Sequence, residues 1–118
     1  MPNPISVRAV ERTDFDEWLP LWEGYNAFYG RLLGLTHYLF HRSTIAVEPN
    51  CYLQDLFTNE QARGMGMGTA LINEVYARAK LAGATRVYWQ THETNHVAQA
   101  LYDRIAKRSG FIVYRQNV

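Results

Sequence analysis

Three glycines spaced two apart, Gly64, Gly66 and Gly68, directly precede an apolar run of Leu71, Ile72, Val75, Tyr76 and Ala79 at helical spacing. The pattern predicts a helix beginning near Met67, with Arg78 and Lys80 suited to its C-terminal end and Gly83 to a left-handed cap. The glycines therefore fall where the first N–H groups of a helix have no partner inside it. Their backbone entropy cost is offset if bare backbone closes on a phosphate, held by those N–H groups and the positive end of the helix dipole. A hydrogen bond to a charged group is worth about 1.5–3 kcal/mol, so three or four would hold a pyrophosphate without a lysine beneath it. A flexible turn that happens to be rich in glycine is the plain alternative. Two familiar phosphate loops do not fit. A P-loop needs Lys-Ser/Thr after its last glycine, where this chain has Thr69-Ala70. A dinucleotide fingerprint needs a glycine three positions after Gly66, where Thr69 stands.

A second chemical pattern is His92-Glu93-Thr94-Asn95-His96, a literal His-Glu-x-x-His. Zinc hydrolysis through this motif needs both histidines on one helical face, the glutamate as general base and a third ligand from elsewhere. Thr94-Asn95 instead suit a turn and an N-cap, and Asp103 is the only carboxylate after His96. Zinc hydrolysis is thus the weaker reading, and His92 and His96 read first as polar loop residues and second as substrate contacts.

The elements that position these residues follow in chain order. Ile5, Val7 and Ala9 alternate with Ser6 and Arg8 as a short first strand. Thr13 suits an N-cap for a helix toward Tyr29, kinked at Pro20 and ended by Gly30. Trp18, Trp22, Tyr25 and Tyr29 form a stripe on that helix, with Phe15 on the same side. Such a stripe reads first as core packing. As a pocket wall, its ring faces would attract a cationic amine by about 0.5–2 kcal/mol. Leu33 to His41 reads as a strand, 41–50 as a loop with Pro49-Asn50 turning it, and Cys51 to Phe57 as the strand that feeds the glycine loop. Arg86 to Thr91 is rich in β-formers, and Asn95 starts a helix through Ala98, Leu101, Tyr102 and Ile105 that Gly110 stops. Phe111 to Arg115 is expected to close the chain as a last strand.

At 118 residues the chain reads as one domain, 1–118, able to bury about two-thirds of its unfolded surface. A net charge of +1 with scattered basic residues gives no electrostatic case for nucleic acid. Cys51 is alone, which rules out an internal disulfide framework and makes a reducing cytoplasm the default. No apolar run approaches a membrane span, and the start Met-Pro-Asn-Pro lacks a signal peptide's apolar segment.

Arg63-x-x-Gly66-x-Gly68 resembles the pyrophosphate loop of the GCN5-related N-acetyltransferase (GNAT) superfamily. Gln61-x-x-Gly64-x-Gly66 satisfies that family's looser form, but the Arg63 register places Thr69-Ala70-Leu71 directly in the helix. Asn95-x-x-Ala98-x-x-Leu101-Tyr102 followed by Gly110-Phe111 resembles the family's second signature, with eight residues from Tyr102 to Gly110 where about four are commoner. The extra Ala106-Lys107-Arg108-Ser109 amounts to about one helical turn. The matched motifs lie within 32–115.

The resemblance implies an α/β fold, a mixed sheet flanked by helices in the acyl-CoA N-acyltransferase style, but here without the family's second helix and second strand. Near 31/32 there is no room for either. That stretch is either a segment skipped in the chain or a true deletion. The first is favoured, because removing a sheet strand exposes edges and core.

The resemblance also implies acetyl transfer from acetyl-CoA to a primary amine, small-molecule or peptide, by direct attack in a ternary complex. The strand ending at Phe57 would bulge and splay from its parallel neighbour to form the cofactor cleft. Leu56, Phe57 and Thr58 would pair with pantetheine, the Phe57 N–H would polarise the thioester carbonyl, and Arg63, Gly64, Met65, Gly66, Met67, Gly68 and Thr69 would hold the pyrophosphate. Tyr102 is the matched general acid for the departing thiolate. Its plain reading is a packed helix tyrosine. Asn95 would fix the helix start or bond the cofactor arm, with Ala98 beside it. Asp55, Glu93 and His92 are open candidates for general base, with water as another, and Trp22, Tyr25 and Tyr29 for acceptor contact. A homodimer is a family-level expectation. The rival from another class is a non-catalytic acyl-CoA-binding module of the same fold.

Overall fold

A computed structural model of the chain describes residues 6–9, 33–58, 64 and 66–118. Within them the chain forms strand β1 (Gly34–His41), strand β2 (Asn50–Thr58), helix α1 (Met67–Leu81), the short strand β3 (Arg86–Tyr88) and helix α2 (His96–Ile105). The sheet order is β1-β2-β3. β1 runs antiparallel to β2, and β3 runs parallel to it. A parallel partner requires a crossover longer than a hairpin turn, and α1 supplies it. The described residues thus make a mixed α/β fold.

Ile72, Val75 and Ala79 follow one another by three and four positions, so they share one face of α1. That face packs against Cys51 and Leu53 of β2, and these five residues form one buried cluster, with Leu35, Met67 and Leu71 also buried. Tyr102 and Ile105 bring α2 onto the same cluster, with Leu56, Val87 and Trp89 at its margin. Full burial of a side chain such as Ile72 or Val75 stabilises by about 1.5–3 kcal/mol, so this small layer carries much of the cohesion among the described elements. Ala82 ends α1 by donating to the Arg78 carbonyl at 3.0 Å, and Gly83 takes φ 83 as the left-handed cap.

Two irregularities shape β2. His37 pairs with Asp55 but Tyr38 with Leu53, so Gln54 is an extra residue and the strand bulges there. Pairing with β3 stops at Tyr52↔Tyr88, although β2 continues to Thr58. The second half of β2 thus runs on without its parallel partner.

Several sequence expectations need correction. Phe111 to Arg115 form no strand, and Phe111, Ile112, Val113 and Tyr114 are exposed. A strand needs an edge to pair with, and β3 offers three residues to which this segment makes no ladder. Ser6 to Ala9 likewise carry no strand. The strand expected over Arg86 to Thr91 ends at Tyr88, where its pairing with β2 stops. The expected first helix and its stripe of Phe15, Trp18, Trp22, Tyr25 and Tyr29 lie outside the described residues.

Candidate active site

The front of α1 is built by conformation and by packing, through different glycines. Gly64 and Gly66 hold φ of 82 and 81, where a side chain is strained, and among the described residues nothing stands near their open side. Gly66 is the N-cap and makes no side-chain cap bond, and the first turn holds no carboxylate. The first helical bond runs from the Ala70 N–H to the Gly66 carbonyl at 3.0 Å. The N–H groups of Met67, Gly68 and Thr69 therefore depend on a partner from outside the helix. Such a terminus fits a diphosphate by charge and by donor supply.

Gly68 serves a different end. A methyl group there would stand 3.1 Å from Leu101 Cδ2 and 3.6 Å from Leu56 Cδ2, so this glycine lets α1, β2 and α2 meet. Met67 is buried, so only its backbone could face a ligand. Arg63 and Met65 lie outside the described residues.

Tyr102 follows Leu101 on α2 and is half-buried against the core margin. Its ring meets the Trp89 indole edge-on, with centroids 5.3 Å apart. Burial pushes its phenol above the ordinary value of 10.0, which keeps it protonated and able to donate. Tyr76, also lifted by burial, donates its hydroxyl to the Ile105 carbonyl at 3.1 Å and anchors the end of α2.

Asn95 fixes the start of α2, its Oδ1 accepting from the Ala98 N–H at 3.2 Å. This is the first of the two roles expected of it. His92 and Glu93 stand in the exposed turn ahead of α2. The Gln99 side-chain amide donates to both their carbonyls, at 3.0 and 2.9 Å, and His92 Nδ1 meets the Thr94 hydroxyl at 2.7 Å. Because α2 begins at His96, the five residues of the His-Glu-x-x-His motif do not share a helix. The geometry of a zinc hydrolase is missing for that reason.

Asp55 is joined to neither His92 nor Glu93. It pairs instead with His37 of β1, whose Nδ1 lies 2.9 Å from each carboxylate oxygen. The sequence reading missed this pairing. A carboxylate within a strand of apolar residues should have raised the question of its partner. Phe57 lies opposite Leu35 and Thr58 opposite Gly34, where an added methyl would meet the Phe57 carbonyl at 2.7 Å.

A β2 end that runs on past its parallel partner, a glycine-led helix front after it and a tyrosine helix packed onto the same core invite comparison with known proteins. Residues 5–106 match the Acetyltransferase (GNAT) family. The chain belongs to that family. It is 32% identical to a D-amino-acid N-acetyltransferase of Saccharomyces cerevisiae, over 96% of this chain and 91% of the relative. That alignment spans 146 positions against 118 residues, so at least 28 positions of the yeast protein stand opposite gaps in this GNAT chain. Among solved structures, a ribosomal-protein-alanine N-acetyltransferase from Brucella melitensis shares the GNAT fold with TM-score 0.77 and 16% identity, over 90% of this chain and 94% of that one. An integron cassette protein from the mobile metagenome of V. cholerae gives TM-score 0.67 at 26% identity, over 73% of this chain. This GNAT chain spans 54% of that protein's length. Family and yeast relative together support N-acetyltransferase activity. No helix among the described residues is long and apolar enough to cross a membrane.

Proposed function

We propose that this chain acetylates a primary amine by direct attack on acetyl-CoA in a ternary complex. The observation that carries the reading is that pairing of β2 with β3 stops at Tyr52↔Tyr88 while β2 runs on to Thr58, with the glycine-led front of α1 after it and Tyr102 of α2 packed on the same core cluster. The thioester supplies the acetyl group and a thiolate leaving group. The N–H groups from Gly64 to Thr69, with Arg63, hold the diphosphate. Leu56, Phe57 and Thr58 run beside the pantetheine arm, with Asn95 and Ala98 at the opposite wall. The Phe57 carbonyl, and with it the Phe57 N–H, faces β1, so the donor is corrected to the neighbouring Leu56 N–H on the other edge of β2. It donates to the thioester oxygen as that oxygen gains charge, an interaction whose loss typically costs about 3–4 kcal/mol. Tyr102, kept protonated by burial, gives its proton to the sulfur.

The yeast relative's name supports an amino-acid amine as acceptor, so D-amino acids are the first to try. The reading carries with it a cytoplasmic setting, a homodimer and a single domain over 1–118. The gapped alignment supports a segment missing from this chain, which the sequence reading puts near 31/32.

The test is thermal shift with acetyl-CoA, then CoA release followed with a thiol reagent over a panel of D-amino acids and spermidine. Cys51, the single cysteine, is fully buried and its thiol is pushed up by burial, so it does not compete for the reagent. Amine-dependent CoA release is expected. Tight acetyl-CoA binding with no release across the panel would leave a binding module instead.

A further inference from the structure

We propose that His37 is the general base that takes the acceptor amine's proton, and that Asp55 positions it. The inference rests on the acetyltransferase reading and adds to it a residue and a step.

Register decides which face these side chains share. Directly opposed residues on paired strands point the same way, so Leu35 with Phe57, His37 with Asp55 and Leu39 with Tyr52 form one face. Cys51 and Leu53, packed on α1, mark the other face. The bulge at Gln54 matters here, because the extra residue sets Asp55 and Phe57 on the same face as Tyr52. Asp55 and Phe57 are two residues apart, about 6.5 Å along an extended strand. Leu56, whose N–H faces the other edge of β2, lies between them, so the imidazole stands within one water of an amine approaching a carbonyl held at Leu56.

The pair is built rather than incidental. The His37 ring and the His37 backbone N–H both address the Asp55 carboxylate, the latter at 2.9 Å to Oδ1. The Thr36 hydroxyl donates to the Asp55 backbone carbonyl. The carboxylate side chain is only 16% exposed while the imidazole is 42% exposed, so the acid is set back and the ring forward. With Nδ1 donating to the carboxylate, the neutral ring carries its lone pair on Nε2. As the amine nitrogen bonds to the acetyl carbon, Nε2 accepts the nitrogen's proton and Asp55 stabilises the imidazolium. The carbon–sulfur bond breaks, and the sulfur takes its proton from Tyr102. Water then collects the proton from His37 and restores Tyr102.

The experiment uses His37→Ala, His37→Gln and Asp55→Asn in the full chain, with the D-amino acid and spermidine panel as acceptors. CoA release is followed over a pH series from about 5 to 9. By register, the other ionisable groups on this face among the described residues are His41, Tyr52, Tyr88 and Arg86. Both His37 variants are expected to lose at least about a hundredfold in turnover while keeping the acetyl-CoA thermal shift. Imidazole should restore part of the rate in His37→Ala, and Asp55→Asn should displace the acidic limb of the profile. An active wild type whose His37 variants keep their rate and acidic limb overturns this assignment alone. A wild type that neither binds acetyl-CoA nor releases CoA overturns the acetyltransferase reading as well.

Discussion

The Trp89 indole meets the Tyr102 ring edge-on at 5.3 Å between centroids and 74° between planes. Trp89 follows β3 directly, so the end of the parallel strand sets the position of the tyrosine on α2. Among the described residues the Tyr102 hydroxyl makes no hydrogen bond, which leaves it available to a leaving group. Tyr102→Phe keeps the ring contact and removes only the proton. It should slow acetyl transfer at least about tenfold with acetyl-CoA affinity nearly kept, measured by steady-state CoA release and calorimetry. Unchanged turnover would remove Tyr102 from the mechanism.

The pH dependence has a definite sign. A general acid must be protonated, and burial lifts the Tyr102 phenol above 10.0. Its proton is therefore in place throughout the neutral and mildly alkaline range, and is lost only as pH rises through the raised value. The associated stability follows the same course, complete below the unfolded value and lost above the folded one. Rate profiles of wild type and Tyr102→Phe should share the same alkaline limb below about pH 10, the phenol's ordinary value. An alkaline limb below that pH that disappears in the variant would contradict the assignment of burial as the cause.

Gly34 explains how β1 lies so close to the end of β2. A methyl group there would sit 2.7 Å from the Phe57 carbonyl, a backbone atom with no flexible end to yield. Gly34→Ala should destabilise by about 1–3 kcal/mol, read from denaturant melts. It should also lower turnover by displacing the Phe57 peptide. A variant as stable and active as wild type would show that β1 can shift without consequence for the cleft.

What could be read from residues alone divides by the range of the interactions involved. Helix α1 was legible because its apolar spacing, basic last turn and Gly83 are local signals, and they reappear in place. Asn95 was legible as a cap because its partner is three residues away. The His37–Asp55 pair spans 18 residues and depends on a bulge, so no local pattern could display it. The segment from Phe111 to Tyr114 misled for the converse reason. Its β-forming composition is local, but a strand is a property of two partners, and β3 is too short to offer one. Gly68 was read as a phosphate contact, and its closeness to Leu101 and Leu56 is a packing role that no local pattern displays.

The His-Glu-x-x-His stretch gives a prediction about metal. His92 is held by Thr94 and by the turn that precedes α2, and His96 belongs to the first turn of that helix. The two histidines do not present a helical i, i+4 pair, so a chelator should leave CoA release unchanged. Activity lost to chelator and restored by zinc would reverse that conclusion.

Gly66 and Gly68 should respond differently to the same substitution. At Gly66 the strain is conformational, φ 81 with open space around it, and Gly66→Ala should cost about 1–2 kcal/mol and weaken acetyl-CoA binding by turning the cap N–H groups aside. At Gly68 the backbone is helical and alanine gains up to about 1 kcal/mol of helix propensity. The new methyl would press on Leu101 Cδ2 at 3.1 Å, a flexible side-chain end that can give by a few tenths of an ångström. Gly68→Ala should therefore melt within about 1 kcal/mol of wild type, the propensity gain offsetting the crowding. Because Leu101 precedes Tyr102, the displacement should appear in turnover rather than in acetyl-CoA affinity. Thermal melts, calorimetry and CoA release on the two variants separate these effects, and equal losses of affinity in both would mean that Gly68, too, is read by the diphosphate.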